Sequence, residues 1–276
     1  MSQTRRNNAF TLIELIFVVV ILGIVASISS QLIATVYQNY ILQRAQHRAS
    51  LKTELAALQI ANRLAAAIPG TLYRIRNDDH YEKIDSRFSV GMGGNSYKGI
   101  QWVGADTDSF STATNPGWSG FCDLNKSSRR SIVTPGSDLI LTHTIITNLN
   151  GGSFSSVWHP VLFFPYEESP YRINLPLTGT TIKLMGSGAS HISEHYKLAW
   201  SSYALLLEDG DLYLYYGFDP LPARTIPANA KRSLLLRHIN VFRFKSTGET
   251  IRFKICKEER VGDEFNVTSC KEKVVF

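Results

Sequence analysis

An unbroken apolar run lies near the N-terminus of the chain. From Leu15 to Ala26 the sequence reads LIFVVVILGIVA without a polar residue, and apolar character extends over about 21 residues, 10–30. At 1.5 Å per residue, a helix of this length can cross a bilayer. The sequence has no second stretch of this kind, so the pattern predicts a single membrane span, which carries one carboxylate, Glu14.

The apolar positions after this run recur with helical spacing. Between Gln31 and Pro69 the chain has no other Pro and no Gly, and charged residues lie between the apolar ones, as in an amphipathic helix. The apolar positions are Leu32, Val36, Tyr40, Leu51, Leu55, Leu58, Leu64 and Ile68. Pro69 and Gly70 mark the end of the helix. The two patterns predict one helix of about 59 residues, 10–68. Its amphipathic segment, which spans 31–70 when the terminating Pro69 and Gly70 are included, covers a sheet with its apolar positions.

The pattern after the predicted helix is that of a β-rich globular domain, residues 71–276. Residues 71–137 are rich in Gly, Ser, Asn and Asp and predict loops with short strands. From Asp138 onward the pattern is strand-like, in the segments DLILTHTIIT, VWHPVLFF, TIKLM, KLAWSSYALLLE, DLYLYYGF, SLLLRHINVFRF, TIRFKICK and NVTSCKEKVVF. Hairpin turns are predicted at Asp209-Gly210 and at Thr247-Gly248. The predicted fold class is therefore α+β, a long helix packed on an antiparallel sheet domain.

A cleaved secretory signal peptide also combines a basic start with an apolar stretch, and cleavage near ASISS would then release a soluble protein. Two features disfavour this interpretation. A carboxylate within the apolar region is unfavourable by roughly 2.5–3.5 kcal/mol on insertion scales, and a discarded signal gains nothing from Glu14. The helical pattern also continues through the expected cleavage region without a break.

Charge and cysteine content change this picture only slightly. The formal charge is +6, and the 29 Lys and Arg residues are scattered along the chain, which favours solubility over a dedicated nucleic-acid surface. The three cysteines form no C-x-x-C pair, so cysteine-bound zinc and thioredoxin-like chemistry lack support. If the chain is exported to an oxidising compartment, Cys256 and Cys270 are the expected disulfide pair and Cys122 is left over. In a reducing compartment, all three would be separate thiols.

The candidate catalytic and metal-binding motifs lack the context that their chemistry requires. HISEH, from His191 to His195, matches the H-x-x-E-H pattern of zinc proteases, but a strand-like segment follows at once and leaves no room for the necessary helix. The acidic residues of DTD, 106–108, and EDGD, 208–211, could bind calcium but lack EF-hand spacing. The sequence contains no phosphate-binding glycine motif and no G-x-S-x-G elbow. We therefore expect no cofactor, no metal and no enzymatic activity.

The stretch NNAFTLIELIFVVVILGIVA closely resembles the N-terminus of the type IV pilin superfamily, which includes pilins, minor pilins and the pseudopilins of type II secretion and DNA-uptake machines. The resemblance is tight over residues 9–26, and a long helix followed by a sheet domain agrees with the ladle-like architecture of the family. It implies that a prepilin peptidase removes a leader, residues 1–9, by cutting between Ala9 and Phe10. It also implies that Phe10 becomes the N-methylated first residue and that Glu14 is the glutamate used in assembly.

Three details of this region refine the resemblance. The family normally has glycine before the cut, whereas this chain has Ala9, a small residue that should still fit the peptidase. Loss of the leader removes Arg5 and Arg6 and so lowers the formal charge by two, from +6 to +4. Members that build long pili often carry a proline in the first helix, and this chain has none between Phe10 and Ile68. That difference favours a minor pilin or a pseudopilin.

The resemblance implies a non-enzymatic subunit held in the bacterial inner membrane by one span, residues 10–30, with its C-terminal domain in the periplasm, or outside the cell in a pilus. The expected partners are the prepilin peptidase, other pilin or pseudopilin subunits and the inner membrane, with DNA or a secreted protein as further candidates. The expected role is that of a filament initiator or tip in a type II secretion or type IV pilus machine. A filament-tip adhesin or DNA receptor is the alternative, and a membrane-tethered hydrolase is less favoured.

Overall fold

The computed structural model describes residues 11–84, 97–111, 115–152, 158–165, 167, 169–247, 250–262 and 265–275. In this part of the chain a long N-terminal helix is followed by antiparallel sheets, which confirms the predicted α+β class. In chain order the elements are α1 (Leu12–Ala65), β1 (Tyr73–Arg76), β2 (Tyr81–Lys83), β3 (Tyr97–Gly104), α2 (Thr107–Phe110), β4 (Ser131–Val133), α3 (Leu139–Asn150), β5 (Val161–Phe163), β6 (Tyr171–Arg172), β7 (Thr181–Lys183), β8 (Lys197–Ala199), β9 (Ser201–Glu208), β10 (Asp211–Phe218), β11 (Lys231–Leu236), β12 (Ile239–Thr247), β13 (Thr250–Val261) and β14 (Phe265–Val275).

Helix α1 runs without a break from the apolar run into the domain. Thr11 caps its start, because the side-chain oxygen accepts a hydrogen bond from the backbone N–H of Glu14 at 3.4 Å. The helix ends at Ala65 and not at the predicted Ile68. The reason is that the next residues join the sheet: the backbone N–H of Ile68 donates to the carbonyl oxygen of Val103 at 2.9 Å.

The described part of the domain contains two larger sheets and two smaller ones. The main sheet has six strands in the order β11-β10-β9-β3-β1-β2, and each neighbouring pair is antiparallel. The C-terminal sheet is a meander of β12, β13 and β14. The smaller sheets are β6-β5-β8 and β4-β7. The predicted turn at Asp209-Gly210 joins β9 to β10 with φ of +50° and +81°, whereas Gly248 of the second predicted turn lies outside the described residues.

The main core lies where α1, the main sheet and the C-terminal sheet meet. One hydrophobic cluster joins Ile60 of α1, Trp102 of β3, Leu205 of β9 and Phe253 of β13. A second cluster surrounds α3 and the small sheets, with Ile146 fully buried in it. Because the first cluster includes the helix and both larger sheets, the end of α1 is fixed within the domain.

The segment DLILTHTIIT, predicted as a strand, forms helix α3, and that prediction was wrong. The side chain of Asp138 caps the helix by accepting a backbone N–H three residues on at 3.1 Å, and Gly151 ends it in the left-handed conformation with φ of +95°. Leu139, Thr142 and Ile146 are buried on one face. The β-branched residues suggest a strand, but the caps and the burial of one helical face outweigh that local propensity.

Strand β3 lies in the region expected to hold only loops and short strands. It has eight residues, pairs with both β1 and β9, and buries Trp102 and Val103 completely. A Cβ atom at Gly99 would collide with the backbone carbonyl oxygen of Leu205, so glycine is required there by the close approach of β9. Gly99, one of the glycines that suggested a loop, is thus part of a central strand.

Candidate functional site

The N-terminal half of α1 presents its apolar side chains without cover from the domain. All of residues 12–40 are exposed, including every large apolar side chain. The most apolar 18-residue window of this helix has a mean hydropathy of 2.8 and none of it is buried. Within the described residues α1 is the one helix long and apolar enough to cross a membrane. Because exposed apolar surface is unfavourable in water by about 25 cal/mol per Å², this half requires lipid or another protein around it.

Glu14 is the one acidic or basic residue between Thr11 and Gln43. It lies in the first turn of α1, where a negative charge interacts favourably with the helix dipole, and its side chain is exposed. In an apolar surrounding an unpaired carboxylate is unfavourable, so Glu14 requires a cationic partner there. Ala9 and Phe10 lie outside the described residues, so cleavage between them, methylation of Phe10 and the assembly role of Glu14 stay predictions.

The C-terminal half of α1 packs on the domain through small side chains. The buried residues are Ala49, Thr53, Ala56, Ala57, Ile60 and Leu64. The leucines predicted to face the sheet, Leu51, Leu55 and Leu58, are instead 50%, 60% and 43% exposed, so that part of the prediction was wrong. Because the side chains on this face are small, the helix packs close to β13, whose Phe253 and Ile255 fill the core beside it. The sequence contained a signal for this packing face, because the alanines recur at the same helical spacing as the leucines.

Ion pairs fix the same half of α1 against the C-terminal sheet. The carboxylate of Glu54 lies 2.5 Å from Nζ of Lys273 and 3.4 Å from Nζ of Lys271, both on β14. Arg48 lies 3.8 Å from Glu259 of β13. The hydrogen bond from Lys273, with help from Lys271, lowers the pKa of Glu54 below its ordinary value in spite of partial desolvation. The carboxylate that lies on the domain half of α1 therefore has its cations within the chain.

A disulfide lies in the hairpin that packs on α1. Cys256 of β13 and Cys270 of β14 occupy directly paired positions, and their sulfur atoms are 2.12 Å apart. The third cysteine, Cys122, is free and buried, with its Sγ 3.3 Å from Oγ of Ser127. Burial raises the pKa of the Cys122 thiol, and a thiol of this kind is unreactive.

The HISEH segment is not helical, and its two histidines have separate contacts. His191 is exposed, with Nδ1 3.2 Å from the carboxylate of Glu167, and the ring of His195 packs against Phe121 with centroids 4.8 Å apart. A zinc protease of this pattern needs both histidines on one helical turn, and the segment does not supply that turn. Over the described residues there is no group of three or more His, Cys, Asp or Glu side chains that could hold a metal ion.

The two acidic segments have contacts that explain them structurally. Asp106 caps α2 by accepting hydrogen bonds from the backbone N–H and the hydroxyl of Ser109, and burial raises its pKa. At the β9–β10 hairpin, Glu208 accepts a hydrogen bond from the hydroxyl of Tyr215 at 2.6 Å. In the same hairpin Asp211 accepts a backbone N–H at 3.0 Å. These carboxylates stabilise a helix start and a turn.

Comparison with known protein families identifies the N-terminal region. Residues 4–30 match the family described as the prokaryotic N-terminal methylation motif. The matched residues include the predicted leader cleavage site and most of the exposed apolar half of α1. The match confirms the resemblance to the type IV pilin signal that residues 9–26 indicate. No curated protein and no solved structure matches the chain.

Proposed function

We propose that this chain, which carries the N-terminal signal of the type IV pilin superfamily, is a minor pilin or pseudopilin that assembles through α1 into a periplasmic filament. The observation that carries the proposal is the exposure of every apolar side chain in residues 12–40 of α1. Lipid covers this surface before assembly, and the helices of neighbouring subunits cover it afterwards. The proposed setting is a type II secretion or type IV pilus machine, in which the chain is an initiator or a tip subunit.

Processing and orientation are part of the same proposal. The prepilin peptidase cuts between Ala9 and Phe10, and the new amine of Phe10 is methylated. The leader lies in the cytoplasm, and the domain lies in the periplasm, anchored to the inner membrane by α1. The disulfide in the β13–β14 hairpin supports an oxidising compartment for the domain.

Glu14 pairs in this proposal with the N-terminal ammonium group of a neighbouring subunit. Inserting a carboxylate into an apolar region costs roughly 2.5–3.5 kcal/mol. At an effective dielectric constant of about 20, two opposite charges 4 Å apart attract by about 4 kcal/mol, which offsets that cost. Subunits whose Glu14 misses its partner therefore assemble less favourably, so the pair sets the register of the filament.

Three exposed leucines extend the assembly surface toward the domain. Leu51, Leu55 and Leu58 recur at helical spacing on the side of α1 that faces away from the buried alanines. They continue the apolar surface of residues 12–40 along the same rod. A neighbouring helix that packs on the first half can therefore remain in contact with the second.

The direct test is the N-terminus of the mature protein. In cells with the prepilin peptidase we expect a mature chain that begins with methylated Phe10, fractionates with the inner membrane and is recovered in sheared filaments. Ala9→Gly restores the usual residue of the family and should be processed at least as well. Ala9→Leu places a large residue at the cut and should stay at full length. A mature chain that begins at another residue, or one released as a soluble protein, would contradict the proposal.

A second candidate function, a DNA receptor, is favoured by the outer face of the C-terminal sheet. Arg243 pairs with Lys254, and Lys245 pairs with Arg252, across β12 and β13. All four side chains are exposed, whereas residues between them, such as Phe253, are buried toward α1. Side chains two positions apart share a face, so the four cations lie together on the face that α1 does not cover.

Salt dependence distinguishes this second candidate. The full chain in detergent should be retained on DNA at low salt, and each phosphate contact contributes about 0.9 to the slope of log affinity against log salt. Arg243→Ala combined with Lys254→Ala should lower that slope by about 2. Lys126→Ala, an exposed lysine on another part of the domain, is the control. Equal binding by the control and the double variant would remove DNA from consideration at this face.

A further inference from the structure

A cleft of about 680 Å³ opens at the end of the domain where α1 stops. It lies between the last two turns of α1, one face of the main sheet, and the helices α2 and α3. Small-ligand sites typically have volumes of about 300–1,000 Å³, and the cleft lies within that range. The side formed by α1 consists of residues between Gln59 and Arg63 together with the cap residue Ala66, beyond the residues proposed for assembly.

Aromatic side chains form most of the floor of the cleft, which we define as its buried lining residues together with Tyr216 at their edge. Trp102 and Tyr203 are stacked, with ring centroids 6.0 Å apart and planes 22° apart, and Trp200 is also buried. Burial raises the pKa of Tyr203, although Arg63 nearby opposes the shift, so its hydroxyl is a neutral donor and acceptor at pH 7. Trp102 is fully buried, and Trp200 and Tyr203 are only 5% and 8% exposed, so the ring that a ligand reaches is mainly the half-buried Tyr216. That ring offers a stacking surface to the apolar face of a ligand.

Polar side chains form most of the rim, which consists of the exposed lining residues and includes one apolar side chain, Leu149. Gln59 and Asn62 supply amide donors and acceptors from α1, and Ser233 supplies a hydroxyl from β11. The rim also has one cation, Arg63, whose guanidinium carbon lies 5.4 Å from the centroid of the Tyr203 ring, and one anion, Asp108. The two charges offset each other, so the rim favours hydrogen bonding over charge recognition.

We infer that this cleft binds a neutral saccharide. A purely apolar ligand would dehydrate the amides of Gln59 and Asn62 without replacing their hydrogen bonds. A charged ligand of either sign would be attracted by one of the two residues Arg63 and Asp108 and repelled by the other. A pyranose ring has an apolar C–H face for the aromatic floor and hydroxyl groups at its edge for the rim, so it matches both parts of the cleft.

The inference assigns a role to one face of the tyrosine-rich strand β10. Leu214 and Tyr216 line the cleft. The alternating residues Tyr213 and Tyr215 lie on the other face of the sheet. Arg232 packs over the ring of Tyr213 at 5.1 Å, and Tyr215 packs in a separate apolar cluster. A tyrosine on each face of one strand gives a matched pair for testing.

Binding is tested with the full chain in a detergent that has no sugar head group. The probes are methyl glucoside, methyl galactoside and N-acetylglucosamine, with the open-chain polyol sorbitol as the control ligand. Tryptophan fluorescence reports binding, because Trp102 and Trp200 line the cleft. We expect a saturable change for at least one glycoside, with a Kd on the order of 1 mM, and no saturable change for sorbitol.

Variants locate the binding in the cleft. Tyr216→Ala should weaken binding about tenfold, because it removes part of the stacking surface. Gln59→Ala should weaken it about threefold to tenfold by removing one hydrogen-bonding group at an exposed helix position that does not affect folding. Tyr213→Ala and Gln46→Ala change the same residue types outside the cleft and should bind as the unmodified chain does.

Several results would overturn the inference. The absence of saturable binding for all three glycosides is the first, and equal weakening by the cleft variants and the control variants is the second. A preference for glucuronate or glucosamine that Arg63→Ala or Asp108→Ala removes is the third, because the ligand class would then be charged. If Tyr216→Ala does not fold, the comparison of Gln59→Ala in the cleft with Gln46→Ala outside it still shows whether the glycoside binds in the cleft.

Discussion

The two halves of α1 are built from different side chains and have different surroundings. Residues 12–40 carry large apolar side chains on all sides of the helix, and all of them are exposed. Residues 49–64 bury a face made mainly of alanine and threonine, while Leu55 on the other side stays exposed. The domain thus contacts the helix where its side chains are small. The large side chains are left for lipid or for another subunit.

The carboxylates of the two halves differ in the same way. Glu54 has Lys271 and Lys273 within ion-pair distance. Glu14 has no Lys, Arg or His side chain within that distance in the part of the chain that the structure describes. The partners of Glu54 inside the chain serve the stability of the fold, whereas the proposed partner of Glu14 lies in another subunit and would serve assembly. Substitutions in each half, measured for both filament assembly and stability, test whether the two halves have these separate roles.

The largest effect is expected from Glu14→Leu. The variant should insert into the membrane normally, because it removes an unfavourable carboxylate. Its incorporation into filaments should fall by at least about 100-fold, since an unpaired charge left at a buried interface costs about 3–5 kcal/mol. The ratio of sheared filament to membrane protein, measured by immunoblotting, reports this. Glu54→Leu is the control and should be incorporated, and normal incorporation of the Glu14 variant would count directly against the comparison.

The next effect concerns the hairpin that holds the domain half of α1. Cys256→Ala combined with Cys270→Ala should lower the free energy of unfolding by about 3 kcal/mol, because the closed loop no longer restricts the unfolded chain. Urea unfolding of the full chain in detergent measures this, and membrane anchoring should not change. Dithiothreitol should reproduce the loss in the unmodified chain and have no effect on the variant. A loss below about 1 kcal/mol would contradict the prediction.

Adjacent positions on the domain half of α1 should respond in opposite ways. Ala57 is fully buried, so Ala57→Leu should lower the free energy of unfolding by about 1–3 kcal/mol through overpacking. Leu58→Ala should change it by less than about 0.5 kcal/mol, because this side chain is exposed. Leu58→Ala should instead reduce filament incorporation. Similar stability changes for both variants would mean that the small face is not the one that packs.

The smallest effect is a dependence on pH. The pKa of Glu54 is lowered by Lys273 and Lys271, so its contribution to stability is present above the ordinary pKa of 4.5 and is lost as pH falls through the lowered value. Circular dichroism should therefore show that the unmodified chain loses this part of its stability in acid. Glu54→Gln, which has no carboxylate at this position, should already be less stable at neutral pH. In that variant, this part of the loss below pH 4.5 should be absent. The same acid-induced loss in both proteins would assign it to other carboxylates.

The features that the sequence could predict depend on local pattern. The long helix follows from residues 10–68, and the hairpin at Asp209-Gly210 follows from its turn residues. Helix α3 could not be predicted from its sequence, because its β-branched residues favour a strand. The capping residues and the burial of one helical face stabilise the helix instead. The packing face of α1 was also ambiguous, since leucines and alanines both recur at helical spacing and contact with the sheet selects between them.

The two candidate sites, Glu14 and the cleft, also differ in how readily the sequence predicts them. Glu14 could be found from sequence because one carboxylate within an apolar run is an anomaly that needs no structure to see. The cleft could not, because Gln59, Trp102 and Tyr216 belong to separate elements that only the tertiary fold brings together. Sequence analysis therefore identifies a site formed within one helix more readily than one formed between elements.

The position of the disulfide has a mechanical consequence. A pull along α1 reaches the domain partly through Glu54, which contacts the last part of β14. Peeling of β14 that starts at Val275 can release Lys273 and Lys271, but it then meets the covalent bond at Cys270. Tension along the rod can thus detach the helix and the end of β14 without unzipping the hairpin beyond the disulfide. The rest of the hairpin then stays paired, and the contact with the helix can form again when the load is removed.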